Sequence, residues 1–255
     1  TFESWYKKVA EKQAAYPSQV SYFHGCYVNY NNPQLGKDLI KVMNAFSIGV
    51  QLLEKEKCCG VALISNGLIK QAQKQARTNI NSIRKSVLEK KIPVIATSST
   101  CTFTIRDEYP HLLDIDNADV REDVELATRY IYRLLSQKKT KLNFKTGQKI
   151  KVAYHTPCHM EKLGWAYYSI ELLKLIPNIE LTILDSQCCG IAGTYGFKKE
   201  NYKTSQDIGE PLFKQIEALD IDYVVTDCET CKWQIEMSTS KRCEHPISIL
   251  ANALE

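Results

Sequence analysis

Short runs of β-branched and aromatic residues recur along the chain, separated by longer stretches whose apolar residues return every three or four positions. "QVSYFHGC" (19–26), "VQLLEKEKCC" (50–59) and "IPVIATSS" (92–99) read as strands, and so do "KVAYHTPC" (151–158), "IELTILDSQCC" (179–189) and "DYVVTDC" (222–228). Between the second and third runs, Leu68, Ala72, Ala76, Ile83 and Val87 follow helical spacing. In the later half Leu212, Ile216 and Leu219 do the same, and Pro211 just before them is expected to occupy the first helical turn. A helix-like run over 119–135 leads into "SQKKTKLNFKTGQK" (136–149), a polar, basic, turn-prone stretch expected to be the seam between lobes 1–143 and 144–255. A β-α-β-α-β order favours parallel pairing. The expected fold is therefore α/β: two related lobes, each a small parallel sheet flanked by helices, with cysteines at the C-terminal strand ends.

Composition narrows the picture. With 255 residues, 44% hydrophobic and 24% charged, the chain can bury a sizeable core and needs no metal or disulfide to do so. A net charge of +4, with no Arg-rich tract, gives no footing for nucleic acid. No apolar run approaches the ~20 residues of a membrane span, and no secretory leader is legible at the start. The chain opens on Thr1, so a piece of a longer protein is expected. Ten cysteines in such a chain, in a reducing setting, suggest metal or redox chemistry more than disulfides.

The cysteines repeat. "KCCGVAL" (57–63) returns as "QCCGIAG" (187–193), and "VIATSSTCTF" (94–103) as "VVTDCETCKW" (224–233), both at an offset of 130. Upstream, "YFHGC" ending at Cys26 corresponds to "AYHTPC" ending at Cys158. The two plans are Cys-x31-Cys-Cys-x38-Ser-x2-Cys and Cys-x29-Cys-Cys-x38-Cys-x2-Cys, with Ser98 where Cys228 stands. Neighbouring cysteines make poor disulfides, because bridged residues usually sit over ~4.4 Å apart while adjacent Cα atoms are ~3.8 Å apart. In a parallel sheet, ligands collect beyond the carboxyl ends of strands, so the three stations of each copy would meet on one rim.

Thiolates gathered in one place need a cation or cluster to offset their charge. Zinc prefers four ligands and Cys-x2-4-Cys knuckles, whereas thiolates also hold iron–sulfur clusters. Cys158, Cys188, Cys189, Cys228 and Cys231 point to an iron–sulfur centre of unusual geometry, with zinc as the other reading. The first copy offers Cys26, Cys58, Cys59 and Cys101, enough for a [4Fe–4S] cluster or zinc; Ser98 is a harder donor and makes an identical centre doubtful.

The repeats resemble the cysteine-rich domains of the B subunit of heterodisulfide reductase and of the iron–sulfur subunits of glycolate and lactate oxidation systems. A longer resemblance runs nearly end to end. "SYFHGCYVNYNNPQLGKDL", "SSTCTF", "HTPCHMEKLGW", "DSQCCGIAGTYGFKKENY" and "DCETCKWQIEMSTSKRCEHPI" are similar to the C-subunit family of bacterial anaerobic glycerol-3-phosphate dehydrogenases. That resemblance implies an electron-transfer subunit. It would take electrons from flavin-containing dehydrogenase subunits of the same complex and pass them to menaquinone. It would sit as a peripheral protein on the cytoplasmic face of the bacterial inner membrane. It further implies a non-cubane [4Fe–4S] cluster on Cys158, Cys188, Cys189, Cys228 and Cys231. The family's N-terminal ferredoxin-like cysteine runs are not in this sequence. Two other functions remain open: a catalytic disulfide or quinone reductase using the cluster, and a zinc-stabilised assembly module.

Around these positions, His155 and His159 could donate to sulfur or carry protons, although histidines at strand ends often serve backbone groups. His24 and His111 carry the same two readings, and His245 before Pro246 marks a helix start. Cys243, without a counterpart in the first copy, is expected to be structural. Lys198, Lys199, Lys241 and Arg242 are expected to face solvent.

Overall fold

Two four-stranded sheets, parallel throughout, form the frame of the computed structural model, which describes residues 1–137 and 142–255. Part of the expected seam, 138–141, lies outside the described residues. The first sheet contains β1 (Ser18–Phe23), β2 (Ile48–Leu52), β3 (Val94–Ala96) and β4 (Val124–Leu126) in the order β2-β1-β3-β4. The second contains β5 (Ile150–Tyr154), β6 (Ile179–Ile183), β7 (Tyr223–Val225) and β8 (Arg242–Glu244) in the order β6-β5-β7-β8. Each order reverses direction between its first and third strands, the switch point where open α/β sheets place their ligands.

The inner strand β3 is apolar and buried throughout, as a parallel strand covered by helices must be, and the edge strand β4 is buried as well, its Glu125 included. β6 is an edge strand, and its Ile-Glu-Leu-Thr-Ile alternation leaves several side chains in solvent. Tyr22 in β1 and Tyr154 in β5 hold matching central places, paired with Leu52 and Ile95 in one sheet and with Ile183 and Val225 in the other. Both are fully buried, and each hydroxyl is satisfied by the residue just past the third strand of its sheet. Tyr22 Oη lies 2.9 Å from Thr97 Oγ1, and Tyr154 Oη donates to Asp227 Oδ2 at 2.6 Å.

Several sequence expectations shift. β2 and β6 stop well short of the cysteine pairs, because their shared neighbours β1 and β5 run out: the register ends at Tyr22–Leu52 and Tyr154–Ile183. The run 119–135 is not one helix; β4 interrupts it before a helix over Ala127–Ser136. Pro211 is not in a first turn but inside the helix Tyr202–Glu217. It is exposed there, so the carbonyl that loses its N–H partner can turn to water. His245 does cap a helix, Pro246–Ala253, accepting from Ile247 N at 3.1 Å.

The lobes are intergrown. Helix Pro246–Ala253, from the end of the chain, packs on Pro33–Ala45 of the first lobe, where Ser248 Oγ donates to Asp38 Oδ2 at 2.6 Å and Lys41 Nζ donates to Ala251 O at 2.7 Å. The largest apolar cluster joins Val20, Leu39 and Met43 to Val152, Leu172 and Leu250. His245 adds a polar tie: Nε2 lies 2.9 Å from Thr97 O across the seam.

Candidate metal centres

Beyond the carboxyl ends of the strands, each lobe presents the same three devices. β1 and β5 run into short helices, Gly25–Tyr30 and Cys158–Leu163, with Cys26 and Cys158 in their first turns. β2 and β6 lead through loops to the vicinal pairs, each followed by a glycine with positive φ, +98° at Gly60 and +86° at Gly190. β3 and β7 end at helix N-caps. Ser98 Oγ accepts from Cys101 N at 3.1 Å, and Cys228 Sγ accepts from Cys231 N at 3.5 Å. The N-cap role explains why serine can stand at 98: a hydroxyl is among the best acceptors for that orphan N–H.

In the second lobe Cys158, Cys188, Cys189, Cys228 and Cys231 all line one cavity of about 320 Å³. Cys189 Sγ and Cys231 Sγ are 3.2 Å apart, and Gly190 N donates to Cys188 Sγ at 3.3 Å. Two hydroxyls attend Cys228 Sγ, Thr230 at 3.3 Å and Thr100, from the first lobe, at 3.5 Å. Cys189, Cys228 and Cys231 are buried, while Cys158 and Cys188 stand at the exposed edge. Hydrogen bonds from the Cys188 and Cys231 thiols pull Cys189 down to about 3. The Cys231 thiol likewise lowers Cys228 to about 7. Cys188 and Cys231 go up because each shares its proton with Cys189, and burial raises Cys158 to about 11. The upward shifts at Cys158, Cys188 and Cys231 oppose gathering five thiolates, and a bound positive charge would favour release of their protons.

Cys26, Cys58, Cys59 and Cys101 line a smaller cavity of about 130 Å³, together with Ser98. Cys26 Sγ and Cys58 Sγ are 3.7 Å apart. Hydrogen bonds from the Cys26 and Cys59 thiols lower Cys58 to about 3, and the same bond pushes Cys26 up. Buried Glu56 holds the Cys26 turn, its carboxyl oxygens accepting from His24 N at 3.2 Å and Gly25 N at 2.7 Å. Each cavity is walled partly by the other lobe: Val61, Ile64 and Ser65 reach the second, and Thr194, Phe197 and Trp233 the first. Val61, Thr100, Gly193 and Thr230 line both, so the two cavities are neighbours.

The flanking residues divide. His155 is buried with neither ring nitrogen partnered, and its closest charged influence is Cys189; the reading that it serves a backbone group does not hold. His159 stacks on Phe103 at 5.0 Å, with Nδ1 3.0 Å from Thr100 Oγ1, and burial lowers it to about 4. His24 Nδ1 lies 2.9 Å from Gly25 O, and exposed His111 contacts Asp107 O. Cys243 is buried in β8, away from both cavities. Lys198, Lys199 and Arg242 face solvent, but Lys241 is half-buried and donates to Ile221 O at 3.1 Å. Sequence reasoning missed Glu229, whose carboxyl lines the first cavity and accepts from Ser98 Oγ at 2.8 Å. Burial, then the Cys228 sulfur, raises it to about 8. An acid inside "CETC" was the available signal.

The residues fit an iron–sulfur core. Sulfur predominates among the donors around the larger cavity, where five thiols stand beside the Glu108 carboxyl and the His159 ring. Among the described residues, no group of three His, Cys, Asp or Glu side chains closes on a position one metal ion could hold. The sulfurs surround a space instead.

The family model for the CCG cysteine-rich domain matches residues 20–106 and 152–236, the two repeats. The C subunit of anaerobic glycerol-3-phosphate dehydrogenase from Escherichia coli strain K12 is 67% identical over 254 residues, covering 100% of this chain and 64% of that protein. An uncharacterized iron-sulfur protein of Methanocaldococcus jannaschii is 28% identical, with 90% of this chain and 45% of that protein covered. The B subunit of fumarate reductase (CoM/CoB) from Methanothermobacter marburgensis is 26% identical, with 93% and 45% covered. The chain thus spans less than two thirds of the length of each of these relatives.

Proposed function

The chain belongs to the CCG cysteine-rich domain family, and we propose that it is the iron–sulfur electron-transfer portion of an anaerobic glycerol-3-phosphate dehydrogenase complex. Its partners would be flavin-containing subunits that oxidise glycerol 3-phosphate, and its electrons would go to menaquinone. It would lie as a peripheral subunit on the cytoplasmic face of the inner membrane; among the described residues no helix is long and apolar enough to cross a bilayer. Lobe 1–143 would hold one centre on Cys26, Cys58, Cys59 and Cys101. Lobe 144–255 would hold a [4Fe–4S] centre, of non-cubane type, on Cys158, Cys188, Cys189, Cys228 and Cys231.

The observation that carries this reading is the ring of five thiols, drawn from three strand ends onto one cavity. A bound cluster supplies reversible one-electron chemistry at a potential set by its surroundings. The chain supplies those surroundings. Thr100 and Thr230 hydroxyls can donate to sulfur, while Ile64 and Ile191 keep water from the cavity wall. Cys158 and Cys188, at the exposed edge, leave one side open to a redox partner. The walls shared by the two cavities support a pair of neighbouring centres that would exchange electrons.

The test is anaerobic purification of the full-length protein and of its Cys189→Ser and Cys58→Ser variants, with iron, sulfide and zinc measured beside electron paramagnetic resonance. Each variant should lose its own signal, with iron and sulfide falling by about four per affected [4Fe–4S] centre. Zinc alone in anaerobic protein, or signals untouched by either substitution, would overturn the proposal.

A further inference from the structure

The repeat sets Ser98 where Cys228 stands, so the first centre lacks a fifth thiol. Its hydroxyl is already committed: it accepts from Cys101 N at 3.1 Å as the helix cap and donates to Glu229 Oε2 at 2.8 Å. Glu229 belongs to the second lobe, yet its carboxyl lines the first cavity with Cys26, Cys58, Cys59 and Cys101. Its bond to the Ser98 hydroxyl sets it on the side of the ring that Ser98 leaves without sulfur. The group is only 7% exposed. A buried carboxyl so placed wants a positive partner.

We propose that Glu229 supplies an oxygen donor to the first-lobe centre from across the seam, filling the place that Cys228 fills in its own lobe. This deepens the functional reading above, because it presumes iron in the first cavity. The step is a ligation only: a carboxylate oxygen binds the metal, any proton on the group passes to solvent, and nothing is oxidised. One turn of chain, Asp227–Cys231, then serves both centres, Cys228 and Cys231 for one and Glu229 for the other. A carboxylate is a harder donor than a thiolate, so the iron it holds becomes the most labile of that centre and the one most open to exchange.

Mössbauer spectroscopy of anaerobically reconstituted full-length protein, enriched in the Mössbauer isotope of iron, tests this without relying on activity. The wild-type spectrum should contain an oxygen-ligated component beside the all-sulfur iron. Glu229→Gln should lose that component and leave the second-lobe spectrum unmoved. Ser98→Cys in the Glu229→Gln background should convert it to sulfur-ligated iron. The inference alone is overturned if the wild-type iron is entirely sulfur-ligated, or if Glu229→Gln leaves the spectrum unchanged. If wild-type protein holds iron only in the second lobe, the two-centre reading falls and this inference with it. A thermal midpoint for metal-free Glu229→Gln within a few degrees of wild type assigns the loss to ligation rather than unfolding.

Discussion

Gly60 and Gly190 follow the vicinal cysteines at equivalent places in the two repeats, and replacing each with alanine should have unequal costs. Both adopt positive φ, +98° and +86°. A Cβ on Gly60 would first meet Ala72 Cβ at 3.7 Å, an ordinary contact. A Cβ on Gly190 would lie 2.0 Å from the Ser205 carbonyl oxygen and 3.1 Å from Gly209 N, both backbone atoms of the helix Tyr202–Glu217. Gly60→Ala therefore carries only the left-handed penalty, about 1–2 kcal/mol. Gly190→Ala adds overpacking against backbone that cannot rotate aside, about 1–3 kcal/mol, for a total of about 2–5 kcal/mol. At about 3 °C per kcal/mol for a chain of this size, the midpoints should fall by about 3–6 °C and about 6–15 °C. Differential scanning calorimetry of the reduced, metal-free proteins gives both numbers under one condition. Gly190→Ala should also lose the 3.0 Å bond from Ser205 Oγ to Gly190 O, and with it the second centre on anaerobic reconstitution. Equal losses for the two variants would refute the argument, because the cysteine loop would then not be clamped on that helix.

The imidazole of His155 supports a second expectation. With both nitrogens buried and unpartnered in the metal-free protein, His155→Leu should stabilise that form by about 1–3 kcal/mol in urea titration. The loaded protein should instead show a lower reduction potential in the second-lobe signal, since the polar ring whose field lowers Cys189 is gone. A loss of metal-free stability would show that the ring is satisfied after all. The third concerns pH. Burial holds His245 down to about 4, below the ordinary value of 6.5, so the unfolded chain takes up its proton first as pH falls. Stability is complete above about pH 6.5 and declines toward pH 4, losing about 3 kcal/mol from this residue. His245→Asn, which can still cap the helix, should flatten that slope; an unaltered slope would refute the assignment.

Much of this architecture was legible because cysteine spacing and strand ends are local signals. Equal 38-residue gaps placed the stations, and glycines after each pair marked the turns. β4 and β8 were not legible: three residues are too few for alternation to show, and β8 reads Arg-Cys-Glu, which carries charge on both sides of a buried thiol. Pro211 misled because its missing N–H is tolerated where the helix faces water. Glu229 and Thr100 escaped notice for another reason. Their roles lie across the seam, and no periodicity along a chain records which side chain will wall a cavity belonging to the other half.

That exchange of walls has a bearing on ancestry. Thr100 touches Cys228, Glu229 touches Ser98, and each half finishes the other's chamber. Thr100 and Thr230, equivalent places in the repeat, each line both chambers, the self-matching placement that a symmetric pair of twin halves gives. Joining the twins in one chain keeps them at fixed proximity and lets each position drift without its counterpart, which is how a serine can stand opposite a cysteine, and a threonine at 97 opposite an aspartate at 227.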